Sequence, residues 1–142
     1  MPFPREGFFD LFDVVECVVD GCTFDATRGI KLYAEGLLKT NILTVKNTDF
    51  SVINGKPAIV LCCAESVTLE GNTYSSTGVF ELDLDGVPNG TTVTSDVLPT
   101  CINDNGACGV LVDGKIYTTV AQAAEVATSA STVTLLHNSA ET

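Results

Sequence analysis

Apolar and polar residues alternate along three separated stretches of this chain, and the stretches resemble one another. Cys17 and Val19, Leu43 and Val45, and Val67 and Leu69 put every second side chain on one face, which is the period of a strand. Each pair runs into the same short pattern of a charged residue, Gly or Asn, two small polar residues and an aromatic. The copies read Asp20-Gly21-Cys22-Thr23-Phe24, Lys46-Asn47-Thr48-Asp49-Phe50 and Glu70-Gly71-Asn72-Thr73-Tyr74. A second alternating run follows each one, at residues 29–33, 58–62 and 79–83. From aromatic to aromatic the period is 26 and then 24 residues, within the range where self-similarity signals a solenoid.

The pattern has a physical reading. Gly21, Asn47 and Gly71 tolerate a left-handed backbone, so the chain can turn there without ending the sheet. Phe24, Phe50 and Tyr74 come three residues later and face inwards. Equivalent residues stacked turn upon turn would form columns of rings and aliphatics, with Cys22, Thr48 and Asn72 as a small-polar ladder at the corner. Each turn buries its apolar side only when a neighbour completes it. The expected fold class is therefore all-β, a short parallel β-helix (solenoid). A β-sandwich is the competitor, since it too has short strands and would use hairpin signals such as Asn54-Gly55 and Asn89-Gly90. The second of these is expected to reverse the chain. A sandwich, however, does not require successive blocks to resemble one another.

Past Leu84 the repeat is expected to fray. Residues 85–92 form a turn cluster, Val93 to Val97 a candidate edge strand, and Pro99 to Gly109 a loop. A different unit then begins. Residues 110–117 read as two short strands about an Asp113-Gly114 turn, and residues 118–127 as a short helix. Thr118 or Thr119 would cap that helix, with Val120, Ala123, Ala124 and Ala127 as its apolar stripe. Ser131 to Leu136 reads as a closing strand. This divides the chain into rungs at 1–98 and a loop plus a cap-like strand-helix-strand unit at 99–142.

The run Lys115-Ile116-Tyr117-Thr118-Thr119-Val120, with Ala123-Ala124 and then Ser131-Thr132-Val133-Thr134-Leu135-Leu136, resembles the opening of right-handed β-helix modules in bacterial surface and secreted proteins. There a strand ending in Tyr and Thr leads into an Ala-rich capping helix, and a strand ending in two leucines starts the first rung. The earlier blocks look like interior rungs of the same pectate-lyase-like superfamily. The resemblance covers residues 14–84 and 110–136 and implies a right-handed coil in an extracellular or cell-surface setting. The order departs from the family pattern, because the cap-like unit follows the rungs. Either the chain joins the end of one module to the start of the next, or the C-terminal unit folds back or docks on a neighbouring subunit to cover an open end.

Composition narrows the function classes. With 18 acidic residues against 7 basic ones, a formal net charge of -11 repels phosphate backbones and anionic bilayers, so nucleic acid and membrane insertion are poor expectations. No apolar run is long enough to span a bilayer. The first six residues lack the basic-then-apolar order of a signal peptide, so the chain either is not secreted or is a segment of a larger one. Six cysteines permit disulfides without establishing them. Cys17 and Cys63 fall at inward positions, Cys62 and Cys63 point to opposite faces, and Cys101 with Cys108 is the candidate bridged pair. No C-x-x-C occurs, which argues against zinc.

Candidate chemistry is sparse. Glu81, Asp83 and Asp85 alternate along one strand and, followed by Gly86, imitate the start of a calcium loop whose twelfth position is Thr92 rather than an acid. They are an outward polar face first, and a weak carbohydrate or calcium contact second. Asp25, Arg28 and Lys31 could share one excursion, as lyase chemistry would ask. Asp104-Asn105-Gly106 is turn chemistry. The single histidine, His137, has no nucleophile pointing to it, and no phosphate-binding glycine loop is present. No catalytic residue and no obligatory cofactor is expected. The leading expectation is a non-catalytic structural or adhesive module, able to associate with itself end to end or to hold a glycan. A polysaccharide lyase or hydrolase, or a degenerate relative, is one alternative, and a phage or viral fibre segment is the other.

Overall fold

The computed structural model describes residues 9–12, 15–24, 29–33, 42–50, 57–61, 64–74, 79–82, 90–102 and 109–136. The chain is mostly β, with a large mixed sheet and one helix. In chain order the strands are β1 (Phe9–Phe12), β2 (Glu16–Asp20), β3 (Ile30–Tyr33), β4 (Ile42–Lys46), β5 (Asp49–Phe50), β6 (Ile59–Leu61) and β7 (Ser66–Glu70). There follow β8 (Thr73–Tyr74), β9 (Phe80–Leu82), β10 (Thr91–Ser95), β11 (Cys101–Ile102), β12 (Val110–Val112) and β13 (Lys115–Tyr117). Helix α1 (Val120–Val126) and β14 (Val133–Leu135) complete the order.

Three sheets share these strands, and from β4 to β9 the chain visits them in rotation. A five-stranded sheet, β1-β3-β6-β9-β11, is parallel throughout. A seven-stranded sheet runs β14-β12-β13-β10-β7-β4-β2, parallel from β10 to β2 and antiparallel from β14 to β10. A corner pair, β5 and β8, is also parallel, and Thr23 extends it by a bridge to Asp49.

The register follows the repeat. Val19 lies opposite Val45 and Val45 opposite Leu69, while Cys17, Leu43, Val67 and Val93 form the neighbouring inward column. In the five-stranded sheet Ile30, Ile59, Phe80 and Cys101 form one column. These inward residues of both sheets, with Phe50 and Leu136, make one continuous buried cluster. Both periodicity and burial come from the strand alternation: β4 and β7 bury Leu43, Val45, Val67 and Leu69 and leave the alternate residues half-buried, or exposed at Glu70.

Two expectations for the C-terminal half need correction. The repeat does not fray after Leu84, because β10 continues the parallel series, Val93 pairing with Val67 and Thr94 with Thr68. It is an interior strand, not an edge, since β13 lies on its other side. Within the stretch read as loop, Cys101–Ile102 adds a fifth strand to the all-parallel sheet. The pattern was hidden because this turn drops its aromatic. Position for position, Thr100 stands where Phe24, Phe50 and Tyr74 stand, and Cys101 follows Asp96 by five positions where Phe80 follows the equivalent Glu70 by ten. The strands before and after Asn89-Gly90, β9 and β10, belong to different sheets, so no hairpin joins them.

The C-terminal unit folds back on the same chain. β12 and β13 form a hairpin about Asp113 (φ 49) and Gly114 (φ 84), both left-handed as a two-residue turn of the hairpin type requires. β13 then lies antiparallel on β10, with Ile116 opposite Thr91. Beside β11, the Cys101 amide donates to the Leu136 carbonyl at 3.1 Å. The unit therefore supplies a neighbour to the last strand of the parallel series in each large sheet. Helix α1 is capped by Thr119, whose hydroxyl accepts the Gln122 amide at 3.1 Å.

Candidate functional site

The corner between the seven-stranded sheet and the β5/β8 pair carries the densest polar chemistry among the described residues. Gly21, Asn47 and Gly71 are all left-handed, with φ of 69, 49 and 68. A β-carbon on Gly71 would lie 2.7 Å from the Asn47 side-chain oxygen, the movable end of an exposed side chain, so it is the left-handed backbone that favours glycine there. Behind the corner the three rings stack. Phe24 and Phe50 have centroids 5.0 Å apart, and Phe50 and Tyr74 5.7 Å apart, with interplanar angles of 11° and 5°.

The small-polar ladder expected from Cys22, Thr48 and Asn72 is present, and it is hydrogen-bonded from repeat to repeat. The Thr48 hydroxyl accepts the Cys22 amide at 3.4 Å, and the Asn72 side-chain oxygen accepts the Thr48 amide at 2.9 Å. The Asn72 amide group donates to the Val45 carbonyl at 2.9 Å and to the Tyr74 hydroxyl at 3.1 Å. Burial pushes the Tyr74 phenol above its ordinary value, with the Asp96 charge adding to the rise and the Asn72 bond opposing it.

Corner acids are spent in the same way. The Asp96 carboxylate accepts the Gly71 amide at 2.8 Å, and Asp20 accepts the Asn47 side chain at 3.1 Å. Asp49 accepts the Thr73 hydroxyl at 2.8 Å, and Lys46 lies 3.9 Å from Glu70. Charges dispersed along the sequence are, at this corner, part of the bonding between successive repeats.

Of the three acids singled out as a carbohydrate or calcium contact, only Glu81 belongs to the described residues. It is half-buried on β9, in register with Val60 and, through it, Lys31. Asp83 and Asp85 lie outside the described residues, as do Asp25, Arg28, Asp104 and His137. Among the described residues no group of three or more His, Cys, Asp or Glu side chains is placed to hold a metal ion. Among the described residues no helix is long and apolar enough to cross a membrane.

Cys17 is partly buried against the core, and desolvation raises its thiol above the ordinary value, which disfavours the reactive thiolate. Cys22 is exposed at the corner. Cys101 is buried, its sulfur held against Gly109, where a β-carbon would lie 2.4 Å from it. Its proposed partner Cys108 lies outside the described residues, as do Cys62 and Cys63.

One surface was not foreseen as a site. The stripe of Val120, Ala123, Ala124 and Ala127 faces Val110, Val133 and Leu135 across a groove of about 310 Å³ that exposes almost no polar atom. Ala123 is buried, but Val133 and Leu135 remain 52% exposed. The sequence carried the signal in the apolar stripe and in the Val-Thr-Leu alternation. It did not show that the helix is too short and its alanines too small to cover the strand. Comparison with known proteins returns no matching family, no matching characterised protein and no matching solved structure.

Proposed function

We propose that this chain is a short right-handed parallel β-helix serving as a non-catalytic structural or adhesive module of an extracellular or surface protein. One observation carries the reading: its polar corner residues are consumed in bonds between successive turns. Asn72, Thr48, Asp96 and Asp20 each satisfy a neighbouring turn, and the ring column Phe24-Phe50-Tyr74 is packed with them. The rotation of the chain through three sheets in constant register supports a coil. Parallel crossovers in one sheet are right-handed almost without exception.

Such a stack keeps side chains in regular outward rows, which suits a rigid spacer or a flat contact with a glycan. Thr44, Thr68 and Thr94 occupy one such row on the seven-stranded sheet. Incubation with a panel of acidic and neutral polysaccharides, with and without calcium, tests the non-catalytic part. The expected result is retention of some glycans with no release of reducing or unsaturated sugar. Turnover of any of them would replace this reading by the carbohydrate-active one.

A further inference from the structure

We infer that the free edge of β14, with the groove beside α1, is a homodimer interface in which two copies of β14 pair antiparallel about Thr134. This deepens the self-association considered above and rests on β12, β14 and α1 alone, so its failure would leave the coil reading standing.

The backbone fixes the geometry. In the β12/β14 pair the Thr132 carbonyl accepts the Asp113 amide at 3.0 Å and the Leu136 amide donates to the Gly109 carbonyl at 2.8 Å. Alternation along an antiparallel strand then turns the backbone groups of 132, 134 and 136 towards β12 and those of Val133 and Leu135 away from it. β14 is the last strand of the seven-stranded sheet, and among the described residues no strand lies beyond it. The outward set, Val133 and Leu135, is symmetric about Thr134. A second β14 placed with Thr134 opposite Thr134 therefore sets Val133 against Leu135 twice, each a pair that exchanges two hydrogen bonds. The arrangement is closed and twofold, the commonest form of self-association.

Side chains and charge select a second copy as the occupant. Val133 and Leu135 are half exposed on the groove side, with the exposed Ala124 of α1 on its far wall. The pairing would place the partner's Val133 and Leu135 beside them and continue the apolar surface. Residues 126–140 form the longest stretch of the chain without Asp, Glu, Lys or Arg. On a chain of net charge -11, two copies meet here with the least like-charge repulsion. At the opposite edge β2 begins with Glu16 and ends with Asp20, the kind of charge that keeps an edge unpaired.

Sedimentation equilibrium of the whole chain across a concentration series tests the interface. The expected result is a mass rising from 14.9 kDa to about twice that value. Added salt should tighten the dimer, because it screens the net charge while leaving the apolar contact intact. Val133→Pro removes an outward amide at the first residue of the strand, where proline is tolerated, and Leu135→Glu sets two carboxylates across the axis. Each should raise the dissociation constant by about tenfold or more while the circular dichroism spectrum stays that of the parent. Val18→Lys, on an exposed residue of β2, should leave it unchanged. A monomer at every concentration, a dimer loosened by salt, or a dimer indifferent to both β14 substitutions would overturn the proposal.

Discussion

The interior repeats and the C-terminal closure of this chain solve the same problem in different ways. From β2 to β9 each strand obtains its partner from an equivalent residue one repeat away, so apolar columns and polar ladders extend together. At the last turn no further equivalent follows, and the chain reverses instead. The β12/β13 hairpin lies antiparallel on β10, while Leu136 meets β11. The cores differ accordingly. Inside the turns lies a large cluster containing Phe50, Phe80 and the paired leucines, whereas the closing unit has a small one of Val110, Val112 and Ala123. Repetition thus gives depth of burial, and closure gives an end whose outer face is only half covered.

The sharpest way to break this contrast is to remove the middle ring. Phe50 is fully buried and stacked on both sides. Phe50→Ala should destabilise the fold by about 3–5 kcal/mol, read as a lowered urea midpoint. Leu135→Ala, at a site 52% exposed, should cost about 1 kcal/mol, since only half of a leucine's burial is at stake. Equal losses at the two sites would show that the ring column is not the stronger part of the molecule.

A smaller effect separates the inner from the outer side of the corner. Asn72→Ala deprives the part-buried Thr48 amide of its acceptor and the Val45 carbonyl of its donor. Its expected cost is about 1–3 kcal/mol. Asn47→Gly, exposed at a left-handed position, gives up one surface bond and gains backbone freedom. It should stay within about 0.5 kcal/mol of the parent. Urea titration of the two variants side by side distinguishes a ladder that holds the turns together from one that merely decorates them.

How far these features could be read from sequence depended on whether a residue's role was repeated. Gly21, Asn47, Gly71 and the three rings announced themselves because the same demand recurs at the same place in each turn. The fourth turn was missed because its corner carries Val97, Leu98 and Pro99 and its aromatic is replaced by Thr100. Only the pairing of Val93 with Val67 exposes the kinship. The role of the corner acids was not legible for a related reason. Asp96 and Asp20 look like solvated charge until the facing amide from another turn is known, and that contact spans 25 residues or more. The closing unit's elements were legible from local turn and cap signals. Its docking on β10, and the groove left beside α1, depend on relative sizes that no local pattern records.

The smallest expected effect is at the hairpin that lies on β10. The Asp113 carboxylate accepts the Thr132 amide at 2.9 Å, and this bond, with a further one from the Ser131 hydroxyl, holds its carboxyl below the ordinary carboxylate value. A folded-state value below the unfolded one means that the ionised form favours folding. That contribution is complete above the unfolded carboxylate's pKa and fades as pH falls through the lower folded one. Global unfolding is a blunt probe of it, because acid also neutralises the chain's excess of 18 acidic over 7 basic residues and so relieves repulsion elsewhere. Amide hydrogen exchange at Thr132 is local. Corrected for the intrinsic pH dependence, its protection should fall on acidification through that window. Asp113→Asn keeps both an acceptor and a side chain suited to a left-handed turn, so Thr132 should then show protection that no longer changes with acid. A parent and variant with the same pH profile would mean that the hairpin closes on its turn geometry alone, without help from the charge.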